Sequence, residues 1–296
     1  MRLLTFHTPT GLQLGIKTER GIIDVARAGI AFQAKLDGAH IPATFEELCS
    51  GSEVDLSGLH SLMAVTNGQQ GDWLLVEEQL QFGPSASRYG KIICVGLNYR
   101  KHAAESNMAI PESPVLFPKY SNALAGTGED IPLSPNATQY DYEAELALVI
   151  GKRAQGIEQA EALDYVLGYA NGHDLSARDL QFRTPQWMLG KIQDKFLPIG
   201  PYLVTADEVT DPQNLSIKLW LNGEIRQNSN TADMIFNVAY IVSYLSQYLT
   251  LEPGDIIITG TPEGVILGHP EYSWLKAGDT VTIEVGNLGE LTNKLS

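Results

Sequence analysis

The sequence predicts an α+β fold: a β-rich mixed roll or sandwich carrying a smaller, β-containing N-terminal domain. Three observations carry this expectation. Strand-like runs outnumber helical ones. The two kinds do not alternate, as a doubly wound α/β chain requires. Glycine and proline, 28 and 15 of the 296 residues, punctuate the runs as in a loop-rich globular protein.

Residues 3–6 and 12–16 read as short strands about the Pro9-Thr10-Gly11 turn, and 21–25 as a third. A helical segment follows near 44–49, with Thr44 as its cap. The expected division is a small N-terminal domain over 1–75, a connector over 76–90 that ends at Ser85-Ala86-Ser87-Arg88-Tyr89-Gly90, and a larger domain over 91–296. The larger domain opens with a buried strand at 91–97. The polar segment 98–113 follows, and it suits a loop able to order over a pocket. Further strands are expected at 141–150, 200–205, 215–221, 255–259 and 280–285, and helices at 158–165 and 232–249. The second helix starts after Asn230-Thr231, carries Ile235, Val238, Val242, Leu245 and Leu249 near helical spacing, and stops before Pro253-Gly254.

The net charge is −15, with no cluster of lysine and arginine. That argues against nucleic acid and anionic membranes as partners. Cys49 and Cys94 form no CxxC pair and no zinc spacing; Cys94 reads as a small core residue. No run is long and apolar enough for a membrane span, and the short apolar run at the N-terminus leads us to expect no signal peptide. The expected location is therefore the cytoplasm.

The stretch from Tyr140 to Gly151 reads as a strand, which places Asp141, Glu143 and Glu145 on one face. Two readings fit. The face is wet, as in a half-solvated antiparallel strand, or the acids join Asp174 in an oxygen-ligand site for a hard divalent cation. His102 and Glu105 stand three apart, so on a helix they touch; such a pair can take a proton from water, or it is an ordinary surface ion pair. Asp174 serves equally as a helix cap, and Arg178 with Asp179 as a plain structural pair. Lys191 can neutralise a carboxylate or an enolate, or be a solvated loop lysine. Thr259-Gly260-Thr261-Pro262-Glu263-Gly264 offers hydroxyls and an approachable backbone, or is simply a turn.

Taken in order, these blocks resemble the fumarylacetoacetate hydrolase family. The matching stretches are Gly96-Leu97-Asn98-Tyr99 with His102 and Glu105, Lys119 before Ser121-Asn122-Ala123-Leu124, and Asp141-Tyr142-Glu143-Ala144-Glu145. They continue with Asn171-Gly172-His173-Asp174, Ser176 through Gln181, Gln186-Trp187 with Gly190-Lys191, Leu251 with Pro253-Gly254-Asp255, and Thr259-Gly260-Thr261-Pro262. The resemblance covers roughly residues 90–296 and implies that family's β-rich fold, usually as a homodimer.

It further implies Glu143, Glu145 and Asp174 as ligands of Mg²⁺ or Mn²⁺, with Asp141 a neighbour. His102 and Glu105 match the water-activating pair on a lid, Lys191 the lysine facing substrate oxygens, and Gln181, Thr261 and Tyr142 substrate-binding positions. The implied activity is hydrolysis of a carbon–carbon bond in a 2-oxo or 1,3-dioxo acid through an enolate. Oxaloacetate decarboxylation, or hydration or isomerisation of dioic acids, would use the same site, and a scaffold without turnover is the reading from another class. Two departures bear on the substrate: Ile192-Gln193-Asp194-Lys195 follows Lys191 where many relatives carry hydroxyl residues, and Glu263 stands where a smaller residue is common.

Overall fold

Apolar and β-branched runs set the strands, and turns fall where glycine, proline or asparagine interrupts them. A computed structural model describes residues 1–87 and 90–296. Arg88 and Tyr89, near the end of the expected connector, lie outside the described residues. The first strands are β1 (Arg2–Thr8), β2 (Gly11–Thr18), β3 (Gly21–Asp24) and β4 (Leu74–Leu75). Next come β5 (Ile92–Gly96), β6 (Val115–Lys119), β7 (Leu124–Ala125), β8 (Asp130–Ile131) and β9 (Tyr140–Asp141). They are followed by β10 (Ala144–Ile150), β11 (Val166–His173), β12 (Ser176–Ala177), β13 (Leu197–Thr205) and β14 (Ser216–Leu221). The last are β15 (Glu224–Asn230), β16 (Ile256–Ile258), β17 (Thr280–Val285) and β18 (Glu290–Leu295). The α-helices are short: α1 (Val25–Ala31), α2 (Phe45–Leu48), α3 (Ser57–Thr66), α4 (Arg100–Glu105), α5 (Arg178–Gln181), α6 (Met188–Lys191) and α7 (Val238–Tyr248).

Among the described residues, one large mixed sheet runs β4-β3-β2-β1-β13-β11-β10-β16-β5-β6, with β7 beside β13. A second sheet runs β15-β14-β17-β18-β8. The expected α+β, β-rich architecture is what the chain adopts. Most neighbours are antiparallel, whereas β16 lies parallel to β5. β1 pairs with β13, so the N-terminal strands continue the sheet that holds β10 and β11.

β10 sits near the middle of the large sheet and has no wet face: Leu146, Leu148 and Ile150 enter one apolar cluster, Ala147 and Val149 the other. Burial on both faces explains its continuous run of aliphatic residues. Glu143 and Glu145 are 5% and 2% exposed, so the solvated-face reading fails.

Several sequence expectations shift. The strand over 141–150 is broken at Tyr142 and Glu143, where the chain passes from β9 to β10. The helix expected at 232–249 begins at Val238, because the Asn237 side chain accepts from the Tyr240 N–H at 2.8 Å and caps it there. Upstream, Asn230 caps only a single 3₁₀ turn, Thr231–Asp233. The segment in between is held by Asn98, whose side chain accepts from Phe236 N at 2.8 Å and donates to Phe236 O at 3.0 Å. The 158–165 helix is a 3₁₀ stretch, Gln159–Tyr165. Thr44 does cap α2, accepting from Glu47 N at 3.1 Å. Strands β6, β11, β15 and β18, the short strands β4, β7, β8 and β12, and helices α1 and α3 are additions to the expected ranges. β15 and β18 are rich in Asn, Thr, Gln and Lys, so their alternation carries little apolar signal.

Candidate active site and metal centre

The pairing of β10 with β11 builds the acidic centre. Glu145 lies opposite Gly172 and Ala144 opposite His173, so the end of β11 delivers Asp174 beside the start of β10. The Asp174 N–H donates to the Glu143 carbonyl at 3.0 Å and fixes that juxtaposition. Glu143, Glu145 and Asp174, brought together across the hairpin, each present a carboxylate oxygen within 4.8 Å of the others.

Cations from three other elements surround them. Lys191 of α6 places Nζ 2.8 Å from Glu143 Oε2 and 2.9 Å from Asp174 Oδ2, and 5.1 Å from the Phe117 ring centre. Lys119, the last residue of β6, lies 2.7 Å from Asp174 Oδ1. Arg178 at the start of α5 reaches Glu143 Oε1 at 2.7 Å and Asp141 Oδ2 at 2.8 Å. Asp141 therefore faces Arg178 and the backbone N–H groups of Ile266 and Leu267, not the acidic triad. The simple Arg178–Asp179 pair does not form either: Asp179 accepts from Thr138 N at 2.9 Å.

Burial pushes the Glu143 carboxyl up, but Lys191, Arg178 and His102 outweigh it and hold it well below the usual range. Glu145 goes the other way. Burial, then repulsion from Asp174 and Glu143, drives its carboxyl well above the usual range. Burial pulls the Lys191 ammonium down, yet Asp174 and Glu143 raise it overall. A carboxylate crowded by two others has the chemistry of a divalent-cation ligand, and an all-oxygen donor set suits a hard ion such as Mg²⁺ or Mn²⁺. The residues present fit such an ion.

One cavity collects most of the expected site residues. Glu143, Glu145, Asp174, Lys191, His102, Gln181 and Thr261 all line it. Its other wall is apolar: Met108, Phe117, Phe182, Trp187 and Leu267. Gln181 accepts from Arg178 Nη1 at 2.9 Å, and Thr261 Oγ1 accepts from Gln227 at 2.9 Å. Glu105 stands behind the cavity and accepts at His102 Nδ1, 2.9 Å away. Met108, just beyond α4, brings the 98–113 segment to the cavity wall. Tyr142 does not line this cavity. Its hydroxyl donates to the Gly264 carbonyl at 3.0 Å, and its ring borders a separate cleft with Arg226 and Tyr272, because the chain turns between β9 and β10.

Gly260 brings its backbone against the acidic triad. Its N–H donates to Glu145 Oε2 at 2.5 Å, and its φ of +99° is open to glycine but strained for other residues. Sequence reasoning assigns no role to Lys119, and it misses Gln227. The amide of Gln227 accepts from Ala144 N at 2.8 Å and donates to Thr261 and Pro262 at 2.9 Å, tying the start of β10 to the 259–264 turn. A lysine closing an otherwise apolar strand is the available signal for Lys119. Gln227 lies in a polar edge strand and offers none.

Residues 91–296 match the family model described as fumarylacetoacetate (FAA) hydrolase, C-terminal. The bovine (Bos taurus) mitochondrial oxaloacetate tautomerase FAHD2A is 39% identical over 301 residues, covering 100% of this chain and 91% of its own length. Among solved structures, fumarylacetoacetate hydrolase from Exiguobacterium antarcticum superposes with a TM-score of 0.78 at 29% identity, covering 100% of this chain and 99% of its own. Fumarylpyruvate hydrolase from Pseudomonas aeruginosa, in complex with Mn²⁺ and pyruvate, gives a TM-score of 0.65 at 35% identity over 73% of this chain and 91% of its own. Mitochondrial relatives overturn the expectation of a cytoplasmic location, which rested on the shortness of the apolar runs in the sequence. The order of motif blocks, the sheet topology and the full-length likeness agree: this chain belongs to the fumarylacetoacetate hydrolase family.

Proposed function

We propose that this enzyme interconverts the keto and enol tautomers of oxaloacetate or a closely related 2-oxo dicarboxylic acid. The observation that carries this reading is the full-length likeness to the bovine oxaloacetate tautomerase. The cavity is suited to that reaction, which needs one group to move a proton at carbon and positive charge over an enolate oxygen.

His102 is the imidazole at the cavity, and with Nδ1 engaged by Glu105 its Nε2 is left to take the proton from substrate C3 and give it back. Glu105 fixes the ring's tautomer and orientation. Lys191 sets an ammonium beside Glu143 and Asp174 and offsets negative charge on the substrate oxygens. Glu143, Glu145 and Asp174 would hold Mg²⁺ or Mn²⁺, which when bound supplies Lewis-acid polarisation of the 2-oxo group. The apolar wall of Met108, Phe182, Trp187 and Leu267 keeps water away from the enolate.

Carbon–carbon hydrolysis of acylpyruvates, first in the expectation drawn from sequence, is the second reading. The likeness to fumarylpyruvate hydrolase favours it. The test follows loss of enol absorbance from oxaloacetate in Mg²⁺ or Mn²⁺ buffer, with CO₂ release and acylpyruvate cleavage assayed in parallel. Tautomerisation above the blank, abolished in His102→Ala, is expected. Cleavage of acylpyruvates without any effect on oxaloacetate would return the assignment to hydrolysis.

A further inference from the structure

Glu105 is gripped by one short segment, residues 264–269. The Gly264 N–H donates to Glu105 Oε2 at 2.8 Å. Gly268 packs so close that an added Cβ would stand 3.0 Å from Glu105 Cγ and Cδ. His269 then brings Nε2 to 3.4 Å from the same Oε2, while its Nδ1 lies 3.0 Å from Glu271 Oε1. Its ring stacks on Tyr272 at 4.7 Å between centres. Glu105 is thus shared by two imidazoles, one on each carboxylate oxygen.

Exposure rises steadily along this chain of groups. The side chains of His102, Glu105, His269 and Glu271 are 7%, 14%, 33% and 62% exposed. The order runs from the cavity wall to open solvent. A protonated imidazole can donate from both nitrogens and a carboxylate accepts at both oxygens; His102 is hydrogen-bonded to Glu105 and His269 to Glu271, and the 3.4 Å approach of His269 to Glu105 has to shorten for a proton to cross it.

We propose that His269 connects the His102–Glu105 pair to bulk water, so that the proton removed from substrate carbon reaches solvent through Glu105. The inference rests on the reading of His102 as the group that deprotonates carbon. The C3–H bond breaks, its electron pair becomes the C2=C3 bond of the enolate, and the proton goes to His102 Nε2. The Nδ1 proton passes to Glu105 Oε1, and a half-turn of the carboxyl presents it to His269 Nε2. His269 releases its Nδ1 proton to Glu271 or to water. Return of a solvent proton runs the same path backwards. His269 is a positioning residue, acting through Glu105 and never touching substrate.

The experiment incubates oxaloacetate with the Mn²⁺-loaded full-length protein in D₂O and reads deuterium entry at C3 by NMR, above the enzyme-free blank, together with tautomerisation kcat and KM. His269→Phe is expected to slow exchange at least tenfold and lower kcat while leaving KM within about twofold. His269→Gln can still donate to Glu105 but cannot relay a proton, so it is expected to be slow as well. Wild-type exchange in His269→Phe overturns the proposal. Recovery in His269→Gln overturns it too, by showing that His269 merely holds Glu105. Undiminished exchange in His102→Ala overturns it by a different route, because then the reading of His102 has failed. Circular dichroism and Mn²⁺ affinity, both expected to match wild type, separate these outcomes from misfolding.

Discussion

Lys119 and Asp174 form an ion pair with neither side chain exposed, Nζ to Oδ1 at 2.7 Å. The same ammonium donates to the Phe196 carbonyl at 2.8 Å and to the carbonyl of Lys191. One lysine therefore fixes an acid of the triad and the end of the helix that carries Lys191. Lys119→Met should strip buried Asp174 of one of its two cationic partners, leaving Lys191 alone, and should cost about 1–3 kcal/mol for the buried hydrogen-bonding groups left unsatisfied. Urea denaturation measures it, and a loss under about 1 kcal/mol would show that the pair is dispensable.

Chelation should abolish activity, and Mg²⁺ or Mn²⁺ should restore it. Glu145→Gln keeps the shape of the side chain but withdraws a charged oxygen ligand, so Mn²⁺ affinity should fall at least tenfold, or about 1.4 kcal/mol. Electron paramagnetic resonance of free Mn²⁺ gives the number. An unchanged affinity would remove Glu145 from the ligand set.

Loss of the proton-moving group should appear in turnover before it appears in binding. His102→Gln should lower kcat by about 10²–10⁴ with KM changed little. Glu105→Gln should have the smaller effect, because the imidazole stays in place while its carboxylate support goes. Steady-state kinetics on oxaloacetate decides. Equal losses in both variants would mean that the two act as one unit.

Gly260→Ala tests the turn. A Cβ there would meet Asn98 Cβ at 2.7 Å and the Val95 carbonyl at 2.9 Å, on a backbone with φ +99°. Destabilisation of about 1–3 kcal/mol is expected from the strain alone, with weaker Mn²⁺ binding because the Gly260 N–H would move off Glu145. A stability equal to wild type, measured by thermal melting, would show that the turn adapts.

Much of the acidic centre is legible in the amino-acid sequence. Glu143 and Glu145 stand out because strand alternation puts them on one side, and Asp174 because it follows the next apolar run. What surrounds them is less legible. Lys191 enters through the family resemblance, whereas the roles of Lys119 and Arg178 do not show, because these side chains come from β6 and α5 and only the sheet order brings those elements together. The same limit explains Tyr142. A continuous strand would put its side chain at a fixed place relative to its neighbours, but the break between β9 and β10 sends it to another cleft. Arg178 reads as the partner of adjacent Asp179 because local contacts are all a sequence offers. Its real partners, Asp141 and Glu143, stand on the far side of β10 and β11 in the chain.

β10 has no side that faces water, and this limits how the enzyme can change. Adding or deleting one residue within 144–150 would turn every later side chain to the opposite face. Leu146 and Val149 would trade clusters, and Glu145 would lose its place beside Glu143. No half-measure is open to a strand packed on both sides, so the length of this segment is under far stricter constraint than the identity of any one of its aliphatic residues. New substrate preferences would have to arise at the rim, in the stretch after α4 that carries Met108, in the 182–187 stretch with Phe182 and Trp187, and at Leu267. The acids and the core share one backbone, whereas the walls that meet the variable end of a substrate do not.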